Sequence, residues 1–209
     1  LTTDCKVAQY AGNNVSGIYN ITRHGNIFQV FCDMKTDEGG WTVFQRRIIG
    51  EQDFFLNWDE YRRGFGNINK EFWIGLDDLH SLTSHGNFEL RIDLKDCENR
   101  TQYAKYRLNI SLPAVGIFVI VLIYDKTGMR DSLSYHNGRP FSTKDQDNDS
   151  HSSSNCAVTY QGGWWNGACH DSNLNGPYLP CVNTPISMNW HNGTGHFGYR
   201  FSEMKFRPY

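Results

Sequence analysis

The sequence predicts a single α+β domain, and three observations lead to that prediction. The chain has 209 residues, 39% of them hydrophobic, which is enough for one substantial core. Its first two thirds combine strand-like segments with two short helical ones, and beyond residue 136 it turns polar and rich in Gly, Asn and Ser. We expect one domain over residues 1–209, with an N-terminal unit (about 1–36), a strand-rich centre (about 37–135) and an ordered, loop-rich part (136–209).

The strand predictions rest on β-branched and aromatic content and on alternation between apolar and polar residues. The predicted strands or extended segments are residues 17–21, 27–32, 41–46, 72–76, 87–94, 103–112, 116–124 and 198–207. The longest apolar run, Ala114–Tyr124, is too short to span a bilayer, so we interpret it as a buried strand and expect no membrane insertion.

Two short helices are predicted between these strands. Asn57 is a suitable N-cap for the first, with acidic residues in the first turn, arginines in the last turn and Gly64 as the stop. The second is predicted for residues 77–82.

Charge and motifs exclude several classes of function. The net charge of −2 provides no electrostatic attraction to nucleic acid or to an anionic membrane. The chain has no nucleophile elbow, H-E-x-x-H pair or phosphate loop, so we do not expect an enzyme. We interpret Asp131, His136 and Glu203 as structural polar residues.

Cysteines and glycosylation sequons indicate a secreted, extracellular protein. The chain has 6 cysteines and no C-x-x-C pair, which favours disulfides over zinc or redox chemistry. The predicted glycan acceptors are Asn14, Asn20, Asn99, Asn109 and Asn192. A sequon also begins at Asn148, inside the acidic loop described next.

An acidic loop places Asp145, Asp147 and Asp149 at alternating positions. Calcium takes six to eight oxygen ligands from carboxylates, backbone carbonyls and water, and such a loop can supply them. A solvated acidic turn explains the same pattern equally well. The loop is not an EF-hand, because counting from Asp145 puts Ser150 and Cys156 where that motif needs Gly and Glu.

A series of motifs in order along the chain resembles one family. The motifs are F-C-D-M at residues 31–34, G-G-W-T-V-F-Q-R-R at 39–47, F-W-I-G-L at 72–76, E-L-R at 89–91, F-S-T-K-D-Q-D-N-D at 141–149, N-C-A at 155–157, C-H at 169–170, S-N-L-N-G at 172–176 and E-M-K-F-R-P at 203–208. Together they resemble the fibrinogen C-terminal (fibrinogen-related) domain from about Cys5 to Pro208, and the acidic loop is most similar to that of ficolins and tachylectin-like lectins. The resemblance implies a central antiparallel sheet, to which the final strand returns, and a calcium- and ligand-binding C-terminal region.

The resemblance also implies a set of calcium ligands. The carboxylates would be those of Asp147 and Asp149, and the backbone carbonyls those of His151 and Ser153. Six residues separate Asp149 from Cys156, where relatives commonly have five, and this difference affects the carbonyl ligands more than the aspartates.

The resemblance implies two disulfides, Cys5–Cys32 and Cys156–Cys169. It leaves Cys97 and Cys181, which either pair with each other or remain free thiols. A third disulfide is not a general feature of the family.

The lectin branch of the family implies a pocket that reads acetyl groups beside the calcium loop. Tyr160 and His170 would line it, and the backbone N–H of Cys169 would donate to the acetyl carbonyl after a cis Ala168–Cys169 bond. Burial of the methyl group contributes only about 0.8 kcal/mol, so single-site affinity is weak and the parent protein is expected to be a homo-oligomer.

Other walls of this pocket depart from the ficolin pattern. Thr184 or Pro185 replaces the usual tyrosine in a loop that is two residues shorter, and His196 takes the place of a later aromatic residue. Each residue also has a structural interpretation: Tyr160 as a half-buried core residue, and His196 as a surface residue.

The sequence therefore leads to two hypotheses. The first is a calcium-dependent lectin for acetylated glycans of the N-acetylglucosamine or N-acetylgalactosamine type in innate immune recognition. The alternative is a module that binds extracellular proteins, as in fibrinogen chains, angiopoietins or tenascins. Capture of a peptide amine by a fibrinogen γ-type pocket would need an acidic side chain where Tyr160 stands.

Overall fold

The computed structural model describes residues 2–111, 119–191, 193 and 195–209. The helices in this part of the chain are α1 (Cys5–Tyr10), α2 (Trp58–Arg63), α3 (Leu76–Thr83) and α4 (Cys156–Thr159), and single 3₁₀ turns lie at Thr36–Glu38 and Ser134–His136. The strands are β1 (Gly17–Arg23), β2 (Asn26–Asp33), β3 (Trp41–Arg47), β4 (Phe65–Gly66), β5 (Phe72–Trp73), β6 (Phe88–Lys95), β7 (Thr101–Ser111), β8 (Val119–Gly128), β9 (Ser172–Asn173), β10 (Asn189–Trp190) and β11 (Phe201–Pro208).

One antiparallel sheet organises the fold. Its strands follow the order β1-β2-β3-β11-β6-β7-β8, and β5 pairs with both β3 and β4 beside this path. The last strand of the chain inserts at the centre, where Phe206 lies opposite Leu90 of β6 on one side and Thr42 of β3 on the other. The predicted α+β fold, with a final strand that returns to the sheet, is therefore confirmed.

The two predicted helices, α2 and α3, form where the sequence places them, whereas α1 and α4 were not predicted. The backbone N–H of Asn57 donates to the Glu60 carboxylate at 2.9 Å, which completes a capping box at the start of α2. Gly64 ends this helix with a φ of 90°, a conformation that favours glycine. In α3 the buried side chains of Leu76, Leu79 and Leu82 recur every three residues on one face.

A chain of aromatic rings connects the sheet to the C-terminal third of the molecule. The Tyr61 and Trp73 ring centroids lie 5.6 Å apart, those of Trp73 and Phe141 5.8 Å, and those of Phe141 and Trp165 5.0 Å. Trp164 and Trp165 are both almost completely buried. These tryptophans therefore anchor packing, as large buried aromatic side chains usually do.

A buried ionic network crosses the sheet next to the apolar core. The Lys205 ammonium lies 2.7 Å from carboxylate oxygens of Asp33 and Asp93 and 3.0 Å from that of Glu203. Arg46 contacts the other Glu203 oxygen at 2.6 Å. Burial lowers the pKa of Lys205, but the three carboxylates outweigh it and the pKa is raised. Glu203 is thus a structural polar residue, as the sequence suggested.

Some of the predicted elements differ from those in the structure. The extended segment 72–76 forms strand only at Phe72–Trp73, because α3 already begins at Leu76. The run 114–124 lies partly outside the described residues, and β8 is an edge strand on which Ile123 is 65% exposed, so the prediction of a buried strand is wrong there. Within the described residues no helix has the length and apolar character needed to cross a membrane.

Candidate functional site

The segments around the candidate site are positioned by side chains that bond to the backbone. The buried His136 donates from Nδ1 to the Trp165 carbonyl at 2.7 Å, and its Nε2 accepts from the N–H groups of Asp171 at 3.2 Å and Ser172 at 3.1 Å. Burial lowers the pKa of His136 to about 4, so the ring is neutral in the tautomer that these bonds require. This residue was interpreted as structural from the sequence, and its contacts agree.

Two asparagines also position segments of the site through hydrogen bonds to the backbone. Asn173 donates to the carbonyl of Tyr160 at 2.9 Å, and Asn175 donates to that of Gly163 at the same distance. Gln45, on β3, donates to the carbonyl of Leu174 at 3.0 Å and so ties the region to the sheet. In each case a side-chain amide takes the place of a missing strand neighbour.

The Asp145 carboxylate bonds to residues outside the segment 147–156. Its Oδ1 accepts from the backbone N–H of Trp58, the first residue of α2, at 2.8 Å and from the Thr143 hydroxyl at 2.7 Å. Lys144 reaches the same part of the chain and donates to the carbonyl of Phe55 at 2.7 Å. These contacts account for Asp145 without a metal ion.

Asp147 and Asp149 are arranged differently. Asp147 accepts from the backbone N–H of Asp149 at 3.1 Å, and Asp149 accepts from those of His151 at 2.8 Å and Cys156 at 2.7 Å. Partial burial and the neighbouring charge of Asp147 raise the pKa of Asp149. The two carboxylates therefore repel each other, and a cation between them would remove that repulsion.

The donor set around these carboxylates fits calcium. The carbonyl oxygens of His151 and Ser153 accept no hydrogen bond from the described residues, but those of Ser152 and Ser154 are equally unengaged. Within the described ranges no group of three His, Cys, Asp or Glu side chains is placed to hold a metal ion. These residues suit a hard cation, which would be held by two carboxylates, backbone oxygens and water. The hydrogen bonds do not identify which of the carbonyls would bind it.

The helix α4 links the acidic loop to the candidate pocket. Asn155 caps it by accepting from the N–H of Val158 at 3.1 Å, and donates to the Thr143 carbonyl at 2.9 Å. Cys156, at the start of α4, forms a disulfide with Cys169 at a Cα–Cα distance of 5.4 Å. The Ala168–Cys169 peptide bond is cis, as the resemblance implied.

The residues predicted to line the pocket form a cluster of packed rings. The Tyr160 and His170 ring centroids lie 4.4 Å apart at 87°, and those of His170 and His196 lie 5.8 Å apart at 84°. The backbone N–H of Cys169 donates to none of the described residues. The structure thus brings His196 together with Tyr160, Cys169 and His170, which lie in an earlier segment of the chain.

His170 is uncharged and enclosed. Burial, together with the nearby His136 and His196, lowers its pKa to about 3. The carbonyl of Pro185 raises the pKa of His170, but it is not placed to accept a hydrogen bond from the ring. Neither ring nitrogen has a hydrogen-bond partner among the described residues. These buried nitrogens are the most conspicuous unpaired polar atoms of the site.

Thr184 enters the site through its backbone. Its N–H donates to the carbonyl of His196 at 3.1 Å, and its own carbonyl accepts from the Ser187 hydroxyl at 2.8 Å. The shortened loop thus lies against the segment that presents His196, while Pro185 is exposed. Thr184 therefore supports the His196 side of the cluster, and its role in ligand binding stays a prediction.

The sequence did not predict His191 as a member of the cluster. Its ring stacks on that of His196, with centroids 4.7 Å apart and planes at 27°, and burial and the neighbouring His191 lower the pKa of His196. The available signal was the spacing H-N-G-T-G-H at residues 191–196, because two glycines allow a turn between the two rings.

All six cysteines form disulfides. Cys5 pairs with Cys32, Cys97 with Cys181 and Cys156 with Cys169. The alternative of two free thiols, which the sequence left open, is thereby removed.

Three of the predicted glycan acceptors are exposed, namely Asn14, Asn20 and Asn99. The side chain of Asn109 and the whole of Asn192 lie outside the described residues. Glycosylation therefore stays a prediction at all five positions.

Comparisons with known proteins place the chain in a family. It matches the family of fibrinogen beta and gamma chains, C-terminal globular domain, over residues 1–209. The chain belongs to this family. Tenascin-R of Gallus gallus is 47% identical over 210 residues, which is 99% of this chain and 15% of that protein. Fibrinogen C domain-containing protein 1 of Macaca fascicularis is 44% identical over 212 residues, which is 95% of this chain and 48% of that protein.

Solved structures show the same fold. The fibrinogen-like globe domain of human ANGPTL2 superimposes with a TM-score of 0.93 at 35% identity, covering 100% of this chain and 99% of that one. Lamprey fibrin D-dimer, complexed with the peptide ligand Gly-His-Arg-Pro-amide, superimposes with a TM-score of 0.88 at 29% identity, covering 99% of this chain and 73% of that one. The chain spans less than half the length of these two curated relatives.

Proposed function

We propose that this domain is an extracellular recognition module that binds a protein partner through its calcium-loop face. We define this face as residues 147–170 together with 182–191 and 195–197. The observation that carries the proposal is the packing of Tyr160 against His170 and of His170 against His196, because these rings contact one another where the resemblance implies an acetyl pocket. A partner would therefore bind over the cluster and not inside it.

The surface around the cluster suits a protein contact. Val158 is 48% exposed, Val182 49% and Phe197 47%. Val158 lies on the segment that carries Tyr160, Phe197 follows His196, and the carbonyl of Val182 accepts from the N–H of Gly198 at 2.9 Å. The neighbouring Ser152–Ser154 run is polar and exposed. An apolar centre with a polar rim is the usual composition of a protein–protein interface.

The comparisons support a protein partner over a glycan. Tenascin-R and the ANGPTL2 globe domain are among the proteins to which the chain is similar, and the sequence resemblance associates tenascins and angiopoietins with protein binding. The peptide in the lamprey structure belongs to that protein. Here Tyr160 replaces the acidic residue, so capture of a peptide amine is not expected.

A lectin for acetylated glycans is the second candidate function. The free N–H of Cys169, beside the neutral ring of His170, is the donor that an acetyl carbonyl would need. Binding in that mode would require His196 to move away from His170. Free N-acetylglucosamine therefore serves as a competitor that separates the two candidates.

We also propose that Asp147 and Asp149 hold a calcium ion together with carbonyls of the loop that follows. Bound calcium would neutralise these two carboxylates. Asp149 accepts hydrogen bonds from the N–H groups of His151 and Cys156 and so fixes the loop. The Cys156–Cys169 disulfide connects this loop to the ring cluster.

The test is capture of proteins from an extracellular-matrix extract on the immobilised domain, followed by titration of each purified candidate. We expect a partner whose binding is weakened at least about tenfold by Phe197→Ser and by Asp147→Ala, and by chelation of calcium. Tyr10→Ser is the matched control, because Tyr10 is 79% exposed on α1, outside the face.

Competition distinguishes the outcomes. Binding that survives enzymatic removal of glycans from the partner and an excess of N-acetylglucosamine supports the protein-binding proposal. Binding that disappears under either treatment establishes the lectin function instead. A partner that Tyr10→Ser releases and Phe197→Ser does not would place the interface elsewhere and overturn the proposal.

A further inference from the structure

The Cys97–Cys181 disulfide differs from the other two in exposure. Cys5, Cys32 and Cys156 are completely buried and Cys169 is 8% exposed, so solvent does not reach those pairs directly. Cys181 is an exposed residue and Cys97 is only partly buried. One molecule thus contains two protected disulfides and one at the surface.

The exposed disulfide lies beside an open cavity. The turn between β6 and β7 carries Cys97, and this turn together with residues 197–199 encloses a cavity of about 260 Å³. Phe197, Tyr199 and Arg100 are among the residues that line it. A side chain of a second molecule therefore has room to approach the disulfide.

We propose that Cys97–Cys181 is a thiol–disulfide exchange site for a dithiol reductant of the thioredoxin class. A thiolate of the reductant attacks Sγ of Cys97, which lines the cavity, and the S–S bond breaks as the Cys181 thiolate leaves and takes up a proton. The second thiol of the reductant then displaces Cys97, so that the reductant becomes a disulfide and both cysteines become thiols. Two electrons pass from the reductant to the chain.

Access is the property that selects this disulfide. Exchange needs a thiolate to reach a sulfur atom along the S–S axis, so burial slows it whatever the intrinsic reactivity of the bond. The electrostatics of the turn are mild: Arg100 contacts Asp96 at 2.7 Å and Glu98 at 3.0 Å, which leaves one net negative charge. A neutral or basic reductant surface is therefore favoured over an acidic one.

Reduction would remove the covalent link between the segment 181–184 and the β6–β7 turn, but this segment would stay hydrogen-bonded to residues 196–198. The N–H of Cys181 donates to the carbonyl of Gly198 at 2.9 Å, and that of Thr184 donates to the carbonyl of His196 at 3.1 Å. These bonds remain after reduction, while the covalent link to the β6–β7 turn, across a sequence separation of 84 residues, is lost. The unit formed by residues 181–184 and 196–198 would then move as a pair.

The first experiment is limited reduction of the intact chain with dithiothreitol at neutral pH, quenched with N-ethylmaleimide and mapped by peptide mass spectrometry. We expect Cys97 and Cys181 to be labelled at least about tenfold faster than the four other cysteines, which serve as internal controls. Simultaneous labelling of all three pairs, or earlier labelling of Cys156 and Cys169, would overturn the proposal.

The second experiment measures hydrogen–deuterium exchange of the selectively reduced and alkylated chain. We expect faster exchange in residues 96–100, 181–184 and 196–198, with β6 and β11 unchanged. The double substitution Cys97→Ser/Cys181→Ser should give the same pattern, and the alkylated natural sequence replaces it if the variant does not fold. Unchanged exchange in these segments would show that the disulfide does not restrain the loop. Neither measurement depends on the proposed partner.

Discussion

The central sheet and the C-terminal region are held together by different interactions. In the sheet, backbone ladders run without interruption along β6, which pairs with β11 over Phe201–Pro208 and with β7 over Thr101–Leu108. In the C-terminal region β9 and β10 have two residues each, and side chains such as His136, Asn173 and Asn175 bond to the backbone instead.

The two regions differ in how many residues contribute to their stability. A ladder distributes stability over many backbone bonds that most side chains tolerate, so only buried side chains matter individually. A loop held by side chains depends on a few residues, each of which forms hydrogen bonds to one or more backbone groups. Removing one such side chain leaves buried donors or acceptors unpaired, at a cost of about 1–3 kcal/mol for each.

We expect the largest loss of stability from Lys205→Ala, because in this network a single side chain of the sheet matters as much as one that holds a C-terminal loop. The change leaves the carboxylates of Asp33, Asp93 and Glu203 buried without their shared cation. We expect the free energy of unfolding to fall by about 3–5 kcal/mol, measured by urea denaturation.

The control for this prediction is Lys95→Ala on β6, where the lysine is exposed. That change should alter the free energy of unfolding by about 0.5 kcal/mol or less. Similar small losses in both variants would show that the buried network contributes little, and the sheet would then depend on apolar packing alone.

A change of pH acts on His136, one of the side chains that hold the C-terminal region. The pKa of His136 falls from 6.5 in an unfolded chain to about 4 in the native domain, because the buried ring stays neutral. The unfolded state therefore binds the proton first, and stability is full above pH 6.5 and is lost as pH falls toward 4. The expected loss is about 3 kcal/mol.

His136→Asn removes this titration while keeping one donor and one acceptor. We expect the variant to be less stable than the natural sequence at pH 7 but to have a flatter stability curve between pH 7 and 4, measured by urea denaturation at each pH. Some slope will remain, because burial lowers the pKa of His170 in the same direction. An unchanged curve would show that His136 does not carry the pH dependence.

The sheet could be predicted from the sequence because its information is local. Alternation in residues 87–94 predicted β6 almost to the residue, and the capping pattern at Asn57 predicted α2. The return of the last strand to the sheet came from the resemblance, and only the structure showed its position between β3 and β6, since no local pattern reports which strands become neighbours. The exposure of Ile123 was missed because an apolar run carries no sign that its strand lies at an edge.

The candidate site could be predicted only in part, because its members meet through the tertiary structure. Tyr160, His170 and His196 were identified through the resemblance, and the structure brings them into contact. Their packing into a closed cluster, and the stacking of His191 on His196, depend on side-chain positions that spacing does not encode. The pairing of Cys97 with Cys181 was left open for the same reason.

The smallest predicted effect compares two N-caps, that of α1, which packs beside the sheet, and that of α4 in the C-terminal region. Asp4 caps α1 by accepting from the N–H of Val7 at 2.9 Å, and its carboxylate makes no other contact with the backbone of the described residues. Asp4→Ala should therefore cost about 1 kcal/mol. Asn155 caps α4 and also donates to the carbonyl of Thr143, so Asn155→Ala should cost about 2 kcal/mol by the same measurement.

Asn155→Asp separates the two contributions of this side chain. The aspartate keeps the acceptor for the N–H of Val158 and loses the donor to the Thr143 carbonyl, so it should recover about half of the loss seen in Asn155→Ala. Full recovery would mean that the cap alone matters, and that loop and sheet regions use their helix caps alike. Partial recovery would show that the Asn155 amide stabilises the C-terminal region in two ways, as the cap of α4 and as a hydrogen-bond donor to the Thr143 carbonyl.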